Sequence, residues 1–275
     1  MHSVNPMDLS GRVALVTGGA GGLGKGSALT LAQFGADIAV ADRNTEAGNA
    51  LVAELRDMGR KAFFIDTDMM DIAQVRAMVS SVNERFERLD ILINNVGGGR
   101  PVAFLEQSAN SIDRHISLNL LSALHTTQAA VPAMIEGRRG GVIINVASTE
   151  ALRAAPGYAV YAACKAALVS FTRTMALELA EHNIRSHALA PDMLETEGLT
   201  PLLNAALEAE KAARDRYIPL GHMGTPGDFG NLVAFLVSDM AGYLNGLTVP
   251  VDAGATAASG WYRAPDGRWC LYHGS

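Results

Sequence analysis

Short β-branched runs alternate with longer amphipathic runs along most of the chain, and this alternation constrains the fold more than any other feature. The short runs are Arg12–Thr17, Asp37–Ala41, Ala62–Asp66, Ile91–Asn94, Gly141–Val146, Ile184–Leu189 and Leu247–Val251. Helical runs separate them: Gly22–Phe34, Thr45–Met58, a run from about Ile72, Ser111–Ile135, Tyr158–Glu181, and a run from Pro226 through Phe235. Two of these helices carry start signals. Asp71 and Gln74 make a D-x-x-Q capping box, and Thr225-Pro226-Gly227-Asp228 reads as N-cap, N1 proline and first-turn acid. Strands that are apolar on both faces belong in a parallel sheet covered on both sides. The expected fold is therefore α/β, a Rossmann-type doubly wound parallel sheet of about seven strands with helices on both faces. No linker, repeat or low-complexity stretch divides the 275 residues, so 1–275 reads as one catalytic domain. Two stretches break the alternation: the helix-prone segment 192–220 and the tail 255–275.

Charge and cysteine content narrow the function. The net charge is -6 and no Lys or Arg run stands out, so the electrostatic footprint of a nucleic-acid binder is missing. Cys164 and Cys270 are too few for a disulfide framework and have no metal-ligand spacing. A reducing cytoplasm fits such a chain. The start MHSVNPMDLSGR does not read as a signal peptide, and no apolar run reaches membrane-spanning length. The expectation is a cytoplasmic protein with no metal site, no nucleic-acid partner and no membrane partner.

The first strand runs into Thr17-Gly18-Gly19-Ala20-Gly21-Gly22-Leu23-Gly24. A glycine-rich turn between a strand and a helix lets backbone approach a pyrophosphate, and the helix N-terminus offers free N–H groups. The strand–turn–helix context separates this from an ordinary glycine turn. Asp42 ends the second strand, where a carboxylate can accept hydrogen bonds from adenosine ribose hydroxyls and repel a 2′-phosphate. NAD is expected over NADP, although Arg43 partly offsets that repulsion.

Tyr161 and Lys165 stand at i and i+4, one turn apart on the same helix face. A phenol with a free pKa of about 10 is a poor base at neutral pH, and a nearby cation favours the phenolate. A drop of about 3 units needs roughly 4 kcal/mol of differential stabilisation. A bare Y-x-x-x-K is common on helix surfaces, so context has to decide.

In context, the chain resembles the short-chain dehydrogenase/reductase family over nearly its whole length up to Gly254. The family's T-G-x-x-x-G-x-G turn is matched by Thr17, Gly18, Gly22 and Gly24. Its acidic residue after the third strand is matched by Asp68, and its N-N-A-G stretch by Asn94-Asn95-Val96-Gly97. Its mid-helix asparagine is matched by Asn119, its serine by Ser148, and its Y-x-x-x-K by Tyr161 and Lys165. Pro191 and Thr196 match the family's pattern after the sixth strand. Pro219–Pro226 and Val251-Asp252-Ala253-Gly254 follow family patterns too. The ordered set is specific where single matches are weak.

The resemblance implies a catalytic set of Asn119, Ser148, Tyr161 and Lys165. Tyr161 takes or gives the alcohol proton as general base or acid. Lys165 lowers its pKa and holds the nicotinamide ribose. Ser148 hydrogen-bonds the reacting oxygen, and Asn119 holds a water linking Lys165 to solvent. The dinucleotide is expected to meet Thr17, Gly18, Gly22, Leu23, Gly24, Asp42, Arg43, Asp68, Met69, Asn95, Gly97, Tyr161, Lys165, Pro191, Met193 and Thr196. Substrate contacts are expected at Ser148, Glu150, Tyr158 and Asp192, beneath a lid formed by about 192–220. The implied reaction moves a hydride between NAD(H) and a secondary alcohol or ketone in a homotetramer built through the two long helices. Other readings stay open: an NADP(H)-preferring ketoreductase, a nucleotide-sugar enzyme using the same Tyr and Lys, or a non-catalytic dinucleotide sensor.

Several positions depart from the family pattern. Val96 replaces the commoner Ala, His187 the usual Asn, Cys164 a common Ser, and Asp192 the usual Gly. Asp192 either selects polar or cationic substrate groups or points to solvent. Glu150 is either a substrate-facing acid or a rim charge. Met193, Leu194, Leu199, Leu202 and Leu203 either face a hydrophobic substrate or pack on the body. The aromatic tail, with Trp261, Tyr262, Trp269 and Tyr272, is expected to dock on its own subunit or on a neighbour.

Overall fold

The structure, a computed structural model, describes residues 5–200, 204 and 206–271; Leu202, Leu203 and Tyr272 lie outside them. Seven strands alternate with helices as the sequence pattern requires. They are β1 (Val13–Thr17), β2 (Asp37–Asp42), β3 (Ala62–Asp66), β4 (Ile91–Asn94), β5 (Gly141–Val146), β6 (Ile184–Pro191) and β7 (Thr248–Val251). The sheet order is β3-β2-β1-β4-β5-β6-β7, and every neighbouring pair is parallel. After β3 the chain crosses back to place β4 on the other side of β1. The loops beyond β1 and β4 therefore part, leaving the crevice where open α/β sheets bind ligands.

The apolar strands split their side chains between two core layers, following the two-residue pleat. Ala14, Val16, Ile91 and Ile93 join Leu31, Leu55, Phe229 and Val233 on one face. Val13, Leu15 and Leu92 join Met78, Val82 and Ile143 on the other. Helix α1 (Gly22–Gln33) lies on the first face, and its pairing with a later helix is unusually close. A Cβ at Gly26 would fall 2.3 Å from the Pro226 carbonyl oxygen, and one at Gly230 2.7 Å from the Gly26 oxygen. Side chains at either glycine would push the helices apart and tilt the N-terminus that faces the crevice.

Helices α2 (Thr45–Asp57) and α3 (Ile72–Phe86) follow the expected runs. The Asp71 box closes differently from the sequence reading: the Gln74 side-chain oxygen accepts from the Asp68 N–H at 2.9 Å rather than from Asp71. The long run Ser111–Ile135 is not one α-helix. It consists of α4 (Ala109–Ile116), a π-helical turn (Ser117–Leu121) and α5 (Ser122–Glu136). A π turn keeps the apolar stripe nearly continuous, so periodicity does not reveal it. The run Tyr158–Glu181 is α6 (Ala159–Glu178), followed by a 3₁₀ turn that ends at left-handed Asn183.

Within segment 192–220, Leu194 bridges to Gly224 and α7 spans Glu208–Tyr217. Thr225 and Asp228 cap α8 (Pro226–Val237) reciprocally, as expected. The tail forms a short turn of helix, α9 (Ala255–Ala258), and an antiparallel hairpin of β8 (Tyr262–Arg263) and β9 (Trp269–Cys270). The Arg263 guanidinium lies 4.6 Å above the Trp269 ring. No described helix is long and apolar enough to cross a membrane.

Candidate active site

The loops after β1, β2, β4 and β6 enclose a cleft of about 510 Å³ at the crevice. Its floor is the glycine turn. Gly18 and Gly22 have φ of 61° and 51°, a region that L side chains rarely adopt. A Cβ at Gly18 would also meet Asn95 and Val96 atoms at 3.0 Å. Gly18, Gly22 and Leu23 line the cleft, as do Asp42, Arg43, Asp68 and Met69 along its far end. Asn95, Gly97, Tyr161, Lys165, Pro191 and Thr196 line the near end.

Thr17 and Gly24 sit behind this lining. Thr17 is buried; its hydroxyl donates to the Ile93 oxygen at 3.2 Å and accepts from the Asn95 N–H at 3.1 Å, tying β1 to β4. A Cβ at Gly24 would fall 2.1 Å from the Gly18 oxygen, so only glycine lets α1 start against its own turn. Met193 is not in the lining; its backbone oxygen accepts from the Gly224 N–H. The Asp42 carboxylate accepts from the N–H groups of Ala20, Arg43 and Asn44, which fixes it at the end of β2.

Sequence reasoning missed one residue that sits in the glycine turn. The Glu197 carboxylate accepts a hydrogen bond from the Gly22 N–H at 2.6 Å, at the N-terminus of α1. A carboxylate on that donor is a stand-in anion, and it shows that the turn and helix end are arranged to hold negative charge. No local signal marks Glu197, because it is 175 positions from its partner. Thr67, Val146 and Ala147 at strand ends and Leu118 on the π turn also line the cleft, which sequence spacing alone does not assign.

The four expected catalytic residues meet where α6 crosses the ends of β4 and β5. Ser148 follows β5, is nearly buried, and accepts from the Glu150 N–H at 3.3 Å. The Lys165 ammonium lies 5.7 Å from the centroid of the Tyr161 ring and donates to the Val146 carbonyl oxygen at 2.7 Å. Gly97 leaves room for this group: a Cβ there would be 2.8 Å from both the Lys165 nitrogen and the Asn119 oxygen. Burial pushes the Lys165 ammonium down to about 8.

Burial raises the Tyr161 phenol above its ordinary value, the Ser148 hydrogen bond opposes that, and Glu150 and Tyr158 add to the rise. Lys165 alone does not make this phenol a base. Asn119, buried on the π turn, is tied to its neighbours through its amide. Its oxygen accepts from the Gly98 N–H at 2.7 Å, and its nitrogen donates to the Gly98 and His115 carbonyls at 3.0 Å. It clamps the Gly98 loop beside Lys165.

The substrate-side residues divide. Tyr158 stacks edge-on against Tyr161 with centroids 6.0 Å apart. Asp192 neither faces solvent nor stands free, because it accepts from Arg153 at 3.1 Å and from the Tyr217 hydroxyl at 2.9 Å. Glu150 pairs with the same arginine at 3.2 Å. Of the apolar residues in this segment, Leu194 is buried and Met193 is exposed. His187, buried under Arg185, is pushed down to about 4 by burial and by that cation, far from the cleft lining. Among the described residues no His, Cys, Asp and Glu group could hold a metal ion.

Comparisons with known proteins match this architecture. The family described as Enoyl-(Acyl carrier protein) reductase covers residues 18–256. The 3-oxoacyl-(acyl-carrier-protein) reductase of Thermotoga maritima is 35% identical over 248 residues, 90% of this chain and 99% of that one. A short-chain type dehydrogenase/reductase from Mycobacterium marinum superposes with a TM-score of 0.85 at 34% identity, over 92% of this chain and 98% of that one. A 7α-hydroxysteroid dehydrogenase solved with NADH and 7-oxo glycochenodeoxycholic acid superposes with a TM-score of 0.86 at 31% identity, covering 92% and 98%.

Proposed function

The chain belongs to the short-chain dehydrogenase/reductase family, and from that premise we propose that it moves a hydride between NAD(H) and a secondary alcohol or ketone. One observation carries the reading. Tyr161 and a buried Lys165 line one end of a cleft whose other end is a glycine turn with an anion-accepting helix N-terminus. The residues fit a dinucleotide. Gly18, Gly21 and Gly22 leave the backbone open to a pyrophosphate, and Asp42 stands where ribose hydroxyls would hydrogen-bond. When bound, the nicotinamide supplies the hydride acceptor or donor.

The chain's own residues do the proton work. Tyr161 is a phenol at neutral pH, so toward ketone reduction it is already in the donating form. Ser148 steadies the substrate oxygen while charge develops on it. Toward alcohol oxidation the phenol must first lose its proton, and the buried Lys165 cation, with the positive ring of an oxidised cofactor, favours that loss. Segment 192–220 acts as the lid, and its Glu197 must leave the Gly22 N–H before a pyrophosphate takes that donor. An apolar groove between α4 and α6, lined by Ile112, Ile116, Val160 and Cys164 and flanked by exposed Phe104, supports assembly of a homotetramer through these helices.

Arg43 beside Asp42 in the same lining favours one second reading, an NADP(H)-dependent ketoreductase. The test is turnover of a panel of cyclic secondary alcohols with NAD⁺ and of the matching ketones with NADH and NADPH. Turnover that falls by at least about a hundredfold in Tyr161→Phe, with NADH binding kept, supports the proposal. Full turnover in that variant overturns it. An Asp42→Ala variant should gain NADP relative to NAD, and an unchanged ratio removes Asp42 from cofactor choice.

A further inference from the structure

A second cavity of about 610 Å³ lies between α7, the turn after Ser148, and the tail. It begins at Leu152 and Arg153, four and five positions past Ser148, and ends on Trp261 and Tyr262. We propose that this cavity receives an anionic group at the remote end of the alcohol or ketone substrate, paired by Arg216 and flanked by Trp261. The proposal rests on the hydride-transfer reading and names the substrate class for it: a carbocyclic or similarly bulky alcohol or ketone that carries a carboxylate or another compact anion.

The charge arrangement supports this assignment. Among the described residues, two guanidinium groups line the cavity and no carboxylate does. Arg153 is already neutralised by Glu150, Asp192 and the Tyr217 hydroxyl. Arg216 makes no hydrogen bond or ion pair with any described residue, although its neighbour Arg214 pairs with Asp215. It is half-buried all the same. A partly desolvated guanidinium without a counter-charge is unfavourable, and a planar anion satisfies it in bidentate geometry.

Shape and location agree with the charge. Ala213, Ala255, Ala258 and Gly260 leave space where larger side chains would fill the cavity. Trp261 remains 48% exposed, so much of its indole lies open to an apolar ligand body. The Arg153–Asp192 pair ties the cavity wall to Pro191, which lines the catalytic cleft. The proposed ligand would reach from Tyr161 past this pair to Arg216.

The experiment uses 4′-oxobicyclohexyl-4-carboxylate and its methyl ester with the intact protein. Intrinsic tryptophan fluorescence reports binding, because both tryptophans lie in the tail, and NADH oxidation reports turnover. The carboxylate should bind at least about tenfold more tightly than the ester, as expected for a charge-assisted pair. Arg216→Met should remove that preference, and Arg216→Lys should keep part of it. Equal binding of acid and ester to the wild type, or a preference that survives in Arg216→Met, overturns the anion site whatever the turnover. Carboxylate-selective binding without Tyr161-dependent turnover of either compound would instead count against the hydride-transfer reading while upholding Arg216 as the anion's partner.

Discussion

Replacing Lys165 by Met should make the protein more stable and inactive, and the stability gain should disappear at high pH. Lys165 is buried, and its folded-state value falls from 10.5 to about 8. At about 1.4 kcal/mol per unit, holding the charged form in the fold costs about 3 kcal/mol below pH 8. Removing the amine also strands the Val146 carbonyl, which the ammonium meets at 2.7 Å; an unpaired buried acceptor costs about 1–3 kcal/mol. The net expectation at pH 7 is a gain of up to about 2 kcal/mol, or at most a few degrees in Tm for a chain of this size. The sign of the pH dependence follows from proton counting. Between about pH 8 and 10.5 the unfolded lysine holds its proton more firmly than the folded one, so wild-type stability rises through that window. Methionine has no such term. Urea unfolding of both proteins from pH 6.5 to 9.5, at matched concentration, should show the gap shrinking by about 2 kcal/mol above pH 8. The upper limit keeps the raised Tyr161 phenol from contributing. A variant less stable than wild type at pH 7, with a gap that does not move with pH, would refute the idea that this lysine is held at the expense of stability.

Glu197→Gln should lower the Kd for NADH by about five- to tenfold, because the neutral amide holds the Gly22 N–H less strongly than the carboxylate; a fluorescence titration showing unchanged or weaker binding would remove Glu197 from the anion seat. Gly24→Ala should cost about 1–3 kcal/mol and weaken dinucleotide binding, since its Cβ would overlap the Gly18 oxygen; wild-type melting and affinity would show that the turn can relax. His187, held neutral with a value of about 4 against an ordinary 6.5, leaves the unfolded chain binding more protons between those values. Wild-type stability should therefore fall by up to about 3 kcal/mol as pH drops through that window, and His187→Asn should flatten the loss. Parallel acid-unfolding curves for the two proteins would contradict this.

The sheet was legible because buried parallel strands leave a strong local trace: short runs rich in β-branched residues, as in Val13–Thr17 and Gly141–Val146. The glycine turn was legible for a related reason, since Gly18 and Gly22 hold backbone conformations that other residues resist. What the sequence hid is non-local or adds one residue to a repeating pattern. The π turn at Ser117–Leu121 shifts the helix phase without breaking its apolar stripe. Glu197 and Arg153 find partners across the fold, at Gly22 and Asp192, and neither carries a motif. Asp192 read as either a substrate-selecting or a solvent-facing acid because its counter-ion lies 39 positions away. The tail hairpin did carry a signal that went unread: Pro265-Asp266-Gly267 is a turn sequence with its own mechanism, and Gly267 takes the positive φ it requires.

The π turn beneath Asn119 has a consequence for how the site can change in length. An α-helix rotates about 100° per residue. Deleting one residue from Ser117–Leu121 would leave the helix free to close into regular α geometry, with the flanking helices still able to pack and the sheet unchanged. Asn119, or whatever replaced it, would then face a different side of the helix, and Gly98 would lose its clamp. A single codon lost at this place would produce a protein with native secondary structure and a disabled cleft, whereas the same deletion in the tail hairpin would leave the catalytic residues where they are.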